Sequence, residues 1–200
     1  ALAASNLLSG VGIESNSWIE FDELTFAGPS ITQQIPNGSF DNWVNKSIDN
    51  PLGWVNLGEG VKQSSDAVSG SSALSLETTD QGFGPEISAV GSGQDFSQGG
   101  QPFSNITDTL VGFYKFITTG SDTGMASIST LEAGYDVGGG YMYFLPTLTY
   151  TPFAIPINSF MTPDSIRIEF YSSYFPFDSA VVGSKLFIDN LDLQSIITGL

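Results

Sequence analysis

The sequence predicts an all-β fold, an antiparallel two-sheet β-sandwich, on three observations. Short runs alternate apolar and polar residues at sandwich-like spacing. Turn formers separate them, with 23 Gly and 10 Pro in 200 residues. No stretch keeps the apolar period of a long helix. At 40% hydrophobic content the chain suits one domain with a substantial core, with or without an accessory strand.

Taken in order, residues 1–29 read as a strand with its lead-in, Ser17-Trp18-Ile19-Glu20-Phe21-Asp22-Glu23-Leu24-Thr25-Phe26, closed by Gly28-Pro29. Asp22-Glu23-Leu24-Thr25-Phe26 matches Asp189-Asn190-Leu191-Asp192-Leu193 in pattern, and Ser17 matches Ser184. Residues 1–29 are therefore either the tail of a preceding repeat or an extra edge strand. Residues 30–200 form the main module. It opens at Ile35-Pro36-Asn37-Gly38-Ser39-Phe40-Asp41-Asn42-Trp43, after a turn signal, and continues through Pro51-Leu52-Gly53-Trp54. Ala73-Leu74-Ser75-Leu76 reads as a strand, and Gly82 to Gly100 as a long loop bounded by short strands. Leu110 to Ile117 is the clearest strand; Met125 to Leu131, Gly140 to Tyr150, Phe153 to Ile157 and Ser165 to Tyr171 come after it. In the last of these Ile166, Ile168 and Phe170 should face inward. Gly138-Gly139-Gly140 lacks the Lys and helix of a phosphate loop and reads as a hairpin turn.

Gly183 to Leu193 reads as the final strand, with one residue out of place. Alternation puts Phe187, Asp189, Leu191 and Leu193 on one face, and three of the four are apolar. That face should enter the core and take Asp189 with it. A carboxylate there needs backbone N–H groups, a cation or a metal. With only five Lys and Arg in the chain, Ca²⁺ or backbone donors are the expected partners.

Composition excludes several classes. A net charge of −16 argues against nucleic acid and against anionic membrane surfaces. An acidic surface suits a soluble extracellular protein and attracts Ca²⁺. The absence of Cys removes disulfides and thiol nucleophiles; the absence of His removes the usual triads and His-ligated zinc. No run has transmembrane length, and Ala1 to Gly10 lacks the basic region of an intact signal peptide.

The motifs Pro36-Asn37-Gly38-Ser39-Phe40-Asp41-Asn42-Trp43, Pro51-Leu52-Gly53-Trp54 and Ser69-Gly70-Ser71-Ser72-Ala73-Leu74 resemble the opening of galactose-binding-like jelly rolls, the scaffold of many carbohydrate-binding modules. Leu110 to Phe116, Thr151-Pro152-Phe153-Ala154-Ile155-Pro156-Ile157, Thr162 to Ile168 and Val182 to Leu191 are similar to modules of Bacteroidota surface proteins, which often precede a type IX secretion sorting domain. The resemblance spans about residues 35–194; no sorting domain is visible after Leu193. It implies a structural Ca²⁺ between the first and last strands, with Asp41 and Asp189 as ligands. The alternative is that Asp41 caps a turn and Asp189 accepts backbone N–H bonds. Asp108-Thr109-Leu110, Asp164-Ser165-Ile166 and Asp178-Ser179-Ala180 resemble the O-glycosylation signal of the same group.

Sugar binding calls for exposed aromatic rings with polar neighbours. The candidates are Trp43, Trp54, Tyr135, Tyr141, Tyr143 and Tyr174. The two Trp belong to the opening motif and read as core. Tyr135, Tyr141 and Tyr143 read as a ligand-binding platform, although aromatic cross-strand pairs also stabilise sheets unaided. Glu20-Phe21-Asp22-Glu23 faintly resembles a glycosidase run, but Glu23 points away from the face shared by Glu20 and Asp22. The expected function is a non-catalytic module on the outer cell surface or secreted. Its expected partners are glycans or neighbouring modules. A purely structural spacer is the alternative, and a carboxylate-dependent glycosidase a distant one.

Overall fold

In the computed structural model, residues 41, 49–82, 84–93, 100–174 and 180–194 are described. The chain divides into units Ala1–Lys46 and Ser47–Leu200. The Trp18 strand, the opening motif apart from Asp41, Trp43 and the Asp178-Ser179 motif lie outside the described residues. Every described residue except Asp41 belongs to the second unit.

That unit is all β, as expected. Its described strands are β1 (Trp54–Leu57), β2 (Val61–Ser64), β3 (Ala73–Glu77), β4 (Thr79–Asp80), β5 (Pro85–Glu86), β6 (Ala89–Ser92), β7 (Gln101–Pro102), β8 (Thr107–Ile117), β9 (Gly124–Glu132), β10 (Tyr135–Phe144), β11 (Thr147–Ser159), β12 (Ser165–Tyr171) and β13 (Lys185–Gln194). One antiparallel sheet runs β1-β6-β12-β9-β10-β11-β8-β13-β3-β2, with β7 beside β12; β4 and β5 form a separate ribbon. The pairing between β10 and β11 is confined to Gly138↔Ser159 and Gly139↔Asn158. At this thin seam the sheet divides into a front half, β1 to β10, and a back half, β11 to β2.

Side chains of both halves meet in one core. Phe144 of β10 lies 4.6 Å from Tyr114 of β8 and 5.3 Å from Phe153 of β11, ring centre to ring centre. Ile128, Ile166, Ile168 and Phe170 of the front half join Val61, Leu76, Leu110, Leu186 and Ile188 of the back half. Burying this apolar surface between two pleated faces is the main stabilising term. Trp54 packs on the same core, 6.0 Å from Phe170. Ser165 to Tyr171 and Leu110 to Ile117 lie in interior strands, and Ile166, Ile168 and Phe170 face inward as predicted.

Gly140 to Tyr150 is not one strand but the end of β10 and the start of β11, and the expected Gly82–Gly100 loop contains the buried strand β6. Two further expectations are overturned. Gly138-Gly139-Gly140 is not a turn: the β9–β10 hairpin turns at Ala133 and Gly134, where φ is 52° and 82°. The three glycines lie inside β10, where the backbones of its neighbours come close. A Cβ on Gly139 would stand 1.9 Å from the Ile128 carbonyl oxygen, and one on Gly138 2.2 Å from that of Asn158. Only glycine fits such an approach.

The second correction concerns β13. Leu186 and Ile188, not Phe187 and Asp189, enter the core. Asn190 adopts φ 54°, and the register of β13 on β8 shifts between Asp189 and Asp192. This bulge reverses the alternation, so Leu191 packs on the core while Asp189 stays on the outer face. A strict period of two could not show the reversal.

Candidate functional site

The outer face of the front half is built by alternation. On β9, β10 and β12 the inward residues are Ala126 and Ile128, Met142 and Phe144, and Ile166, Ile168 and Phe170. Their neighbours therefore point outward: Met125, Ser127 and Ser129; Tyr141 and Tyr143; Arg167, Glu169 and Tyr171. Register aligns them in rows. Tyr143 and Tyr171 both stand opposite Met125, while Tyr141 and Glu169 both stand opposite Ser127.

Tyr141 is 66% exposed and Tyr143 40%. Their rings lie 5.6 Å apart, and Tyr174 meets Tyr143 edge-on at 4.6 Å. Hydrogen bonding with Tyr174, then partial desolvation, holds the Tyr143 phenol protonated above the usual range. Tyr135 is also exposed, at 77%, but stands opposite Glu132 at the far end of β10. From Ser127 to Glu132 is five strand residues, about 17 Å. Tyr174, a sequence candidate left out of the expected trio, takes the third place. Only its distance in sequence hid it.

Beside the tyrosines the face is polar and internally bonded. Arg167 pairs with Glu169 at 3.1 Å, and Tyr171 donates its hydroxyl to Glu169 at 3.0 Å. Beyond Tyr171 a cavity of about 670 Å³ is lined by Leu57, Pro85, Glu86, Met125, Ser127 and Tyr171 among others. The β4–β5 ribbon forms its wall. Rings beside fixed hydrogen-bonding groups can bind an amphipathic ligand with one apolar and one hydroxylated aspect.

The outer face of the back half is closed by its own chain. Asp189 accepts the N–H groups of Val68 at 2.7 Å and Ser69 at 3.0 Å on one oxygen, and that of Asn190 at 2.7 Å on the other. Lys115, nearly buried, pairs with Asp66 and lies over the rings of Phe187 at 4.3 Å and Tyr150 at 5.0 Å. The Tyr150 hydroxyl donates to the Asp66 carbonyl, and burial with the charges of Asp66 and Asp189 raises its pKa to about 12. Asp66, Val68 and Ser69 are thus fastened to the back face.

These donors complete an anion site around Asp189, the backbone alternative of the sequence reading. A calcium ion at Asp189 would need further oxygens around it besides this carboxylate. Among the described residues no group of three or more acidic side chains is placed to hold a metal. Asp41 is exposed and belongs to the other unit. Ser165 donates to Asp164 at 2.7 Å, and Thr109 is a partly buried member of β8.

No protein-family model matches the sequence, and no curated protein matches it. Solved structures are similar in architecture. A family 51 α-L-arabinofuranosidase with arabinose bound is 14% identical at a TM-score of 0.49, over 72% of this chain and 23% of that one. A family 29 carbohydrate-binding module in complex with mannohexaose is 16% identical at 0.39, over 74% of this chain and 85% of the module. A family 4 carbohydrate-binding module is 17% identical at 0.45, over 72% and 96%. The chain thus spans under a quarter of the arabinofuranosidase and most of each module. At these identities and scores no residue or activity is carried across.

Proposed function

We propose that this chain is a non-catalytic glycan-binding module of a secreted or cell-surface protein, with the front face as its binding surface. The observation that carries this reading is the open row Tyr141, Tyr143 and Tyr174. Tyr143 touches both Tyr141 and Tyr174, and with Tyr141 and Tyr143 exposed the row presents apolar ring faces beside hydroxyls. A pyranose has the matching form, with C–H faces that stack on rings and hydroxyls that hydrogen-bond around its rim. The acidic balance of the chain suits solubility outside the cell.

A glycan array on the full chain, followed by calorimetry, tests the proposal. Tyr141→Ala and Tyr143→Ala should each weaken binding several-fold, since a stacked ring contributes about 1 kcal/mol. Melting should change little, because both side chains project outward. Unchanged affinity in both variants would reject the face, and no glycan binding would reject the function.

One observation favours the spacer alternative. Ile106, Tyr135, Phe160 and Met161 are exposed at the hairpin end of the front half, where Phe160 bonds Val137 and Ser159 bonds Ile106 through their backbones. An apolar end of this kind suits contact with a neighbouring module.

A further inference from the structure

We infer that the bound glycan is a neutral linear chain lying across the strands, from Tyr143 over Met125 and Tyr171 to the β4–β5 ribbon, where Glu86 accepts a sugar hydroxyl. The inference rests on the glycan reading of the front face and adds direction, charge class and a second anchor to it.

Direction comes from register. Tyr143 and Tyr171 flank Met125 on the two strands beside β9, so their backbones lie two strand spacings apart, about 10 Å. An extended chain advances two pyranose units over about this distance. Two rings so placed can stack on alternate sugars, with the flexible Met125 under the one between. Along the strands the support ends: beyond Tyr141 come Gly139 on β10 and Ser129 on β9. Across them it continues, since Tyr171 stands opposite Ala89 and Ala89 opposite Leu57. The cavity of about 670 Å³ lies over this stretch.

The far anchor is an independent observation. The Oε2 atom of Glu86 is shut off from solvent yet has no hydrogen-bond partner among the described residues. Glu86 lines the same cavity. A buried acceptor without a donor is costly and calls for one. A sugar hydroxyl in the cavity supplies that donor when the partly exposed Glu86 side chain turns its shielded oxygen into the space it lines.

The charge class comes from the floor. Its cation, Arg167, is bonded to Glu169, and Glu86 adds a further negative charge. In a chain of net charge −16, uronate or sulfate groups would be repelled.

The test is calorimetric titration of the full chain with cellohexaose, xylohexaose and mannohexaose, their trimers, and hexagalacturonate. At least one neutral hexaose should bind more tightly than its trimer, and hexagalacturonate should not bind. Tyr143→Ala should weaken the hexaose several-fold. Glu86→Ala should abolish the gain from trimer to hexaose, about tenfold for a hydrogen bond to a charged group. Glu86→Gln, which keeps an acceptor oxygen, should retain most of it, and the melts of both variants check folding. A gain that survives Glu86→Ala overturns the inference, and the glycan reading stands if Tyr143→Ala still weakens binding. Binding confined to hexagalacturonate also overturns the inference alone; binding of no probe overturns both. If Ca²⁺ alone raises the melting temperature of the wild type but not of Glu86→Ala, Glu86 is a cation ligand and the inference falls.

Discussion

Replacing Asp189 by Ala separates an amide-held anchor from a calcium ligand. The side chain holds residues 65–72 through Val68 and Ser69, at 2.7 and 3.0 Å. Each hydrogen bond to a charged group contributes about 1.5–3 kcal/mol when fully enclosed. Both amides belong to exposed residues, so water can replace the lost acceptor, and the combined cost should be nearer 1–2 kcal/mol by the same scale. In a unit of this size that lowers the melting temperature by roughly 2–8 °C. Asp189→Asn keeps an acceptor oxygen and should lose about half as much. Urea unfolding followed by tryptophan fluorescence, with and without EDTA, measures the effect. The wild-type midpoint should be the same in both conditions. If EDTA lowers it to the Asp189→Ala value and added calcium restores it, the carboxylate serves a metal and not the amides.

Gly139→Ala should be severe. Its φ of 150° and the 1.9 Å approach to a backbone oxygen leave no room for Cβ, so we expect a loss of about 3 kcal/mol or more, or insoluble protein; an unchanged melt would refute the close approach. Tyr150→Phe tests the alkaline limb of stability. The folded phenol titrates near 12 and the unfolded one near 10, so the folded state holds its proton longer. Stability should therefore be full below pH 10 and fall as pH rises towards 12, and the fall should be shallower in the variant. Equal slopes in urea midpoints across that window would remove Tyr150 as a contributor. Lys115→Met keeps the stem but loses the ion pair with Asp66 and the charge over Phe187, and should cost about 1 kcal/mol in denaturant titration. A stabilised Met variant would show that desolvating the ammonium outweighs those contacts.

How far the sequence discloses this molecule depends on what kind of constraint each residue obeys. Where the constraint is alternation against a single core, as at Ile166, Ile168 and Phe170, the pattern suffices to assign faces. Where it is a backbone approach, the pattern misleads: Gly138 to Gly140 have turn composition, but the reason for them lies in the carbonyls of β9 and β11, distant in sequence. The bulge at Asn190 is similar, since one left-handed residue inverts every later position and Asn is only mildly suggestive of it. Tyr141 and Tyr143 were legible as a pair because they sit two apart on one strand. Their contact with Tyr174, the row through Met125 to Tyr171, and Glu86 on its ribbon depend on which strands become neighbours. Local pattern carries no such information.

The two outer faces suggest why the front one is the site. Each carries aromatic rings on a sheet whose other side is fully packed. On the back face, Lys115 lies over the rings of Phe187 and Tyr150, and Asp189, Lys115 and Tyr150 hold Asp66, Val68 and Ser69. That arrangement satisfies the charges and hides the rings, leaving a ligand little to gain. On the front face the charges are also satisfied, Arg167 against Glu169, yet Tyr141 and Tyr143 stay open. The exposed parts of these rings add nothing to folding by burial and gain when a ligand covers them. Glu86 points the same way from the polar side, because a shielded carboxylate oxygen without a donor lowers the stability of the free protein and gains when a donor arrives. Open rings and an unanswered acceptor on one continuous surface are what a ligand with both C–H faces and hydroxyls would complete.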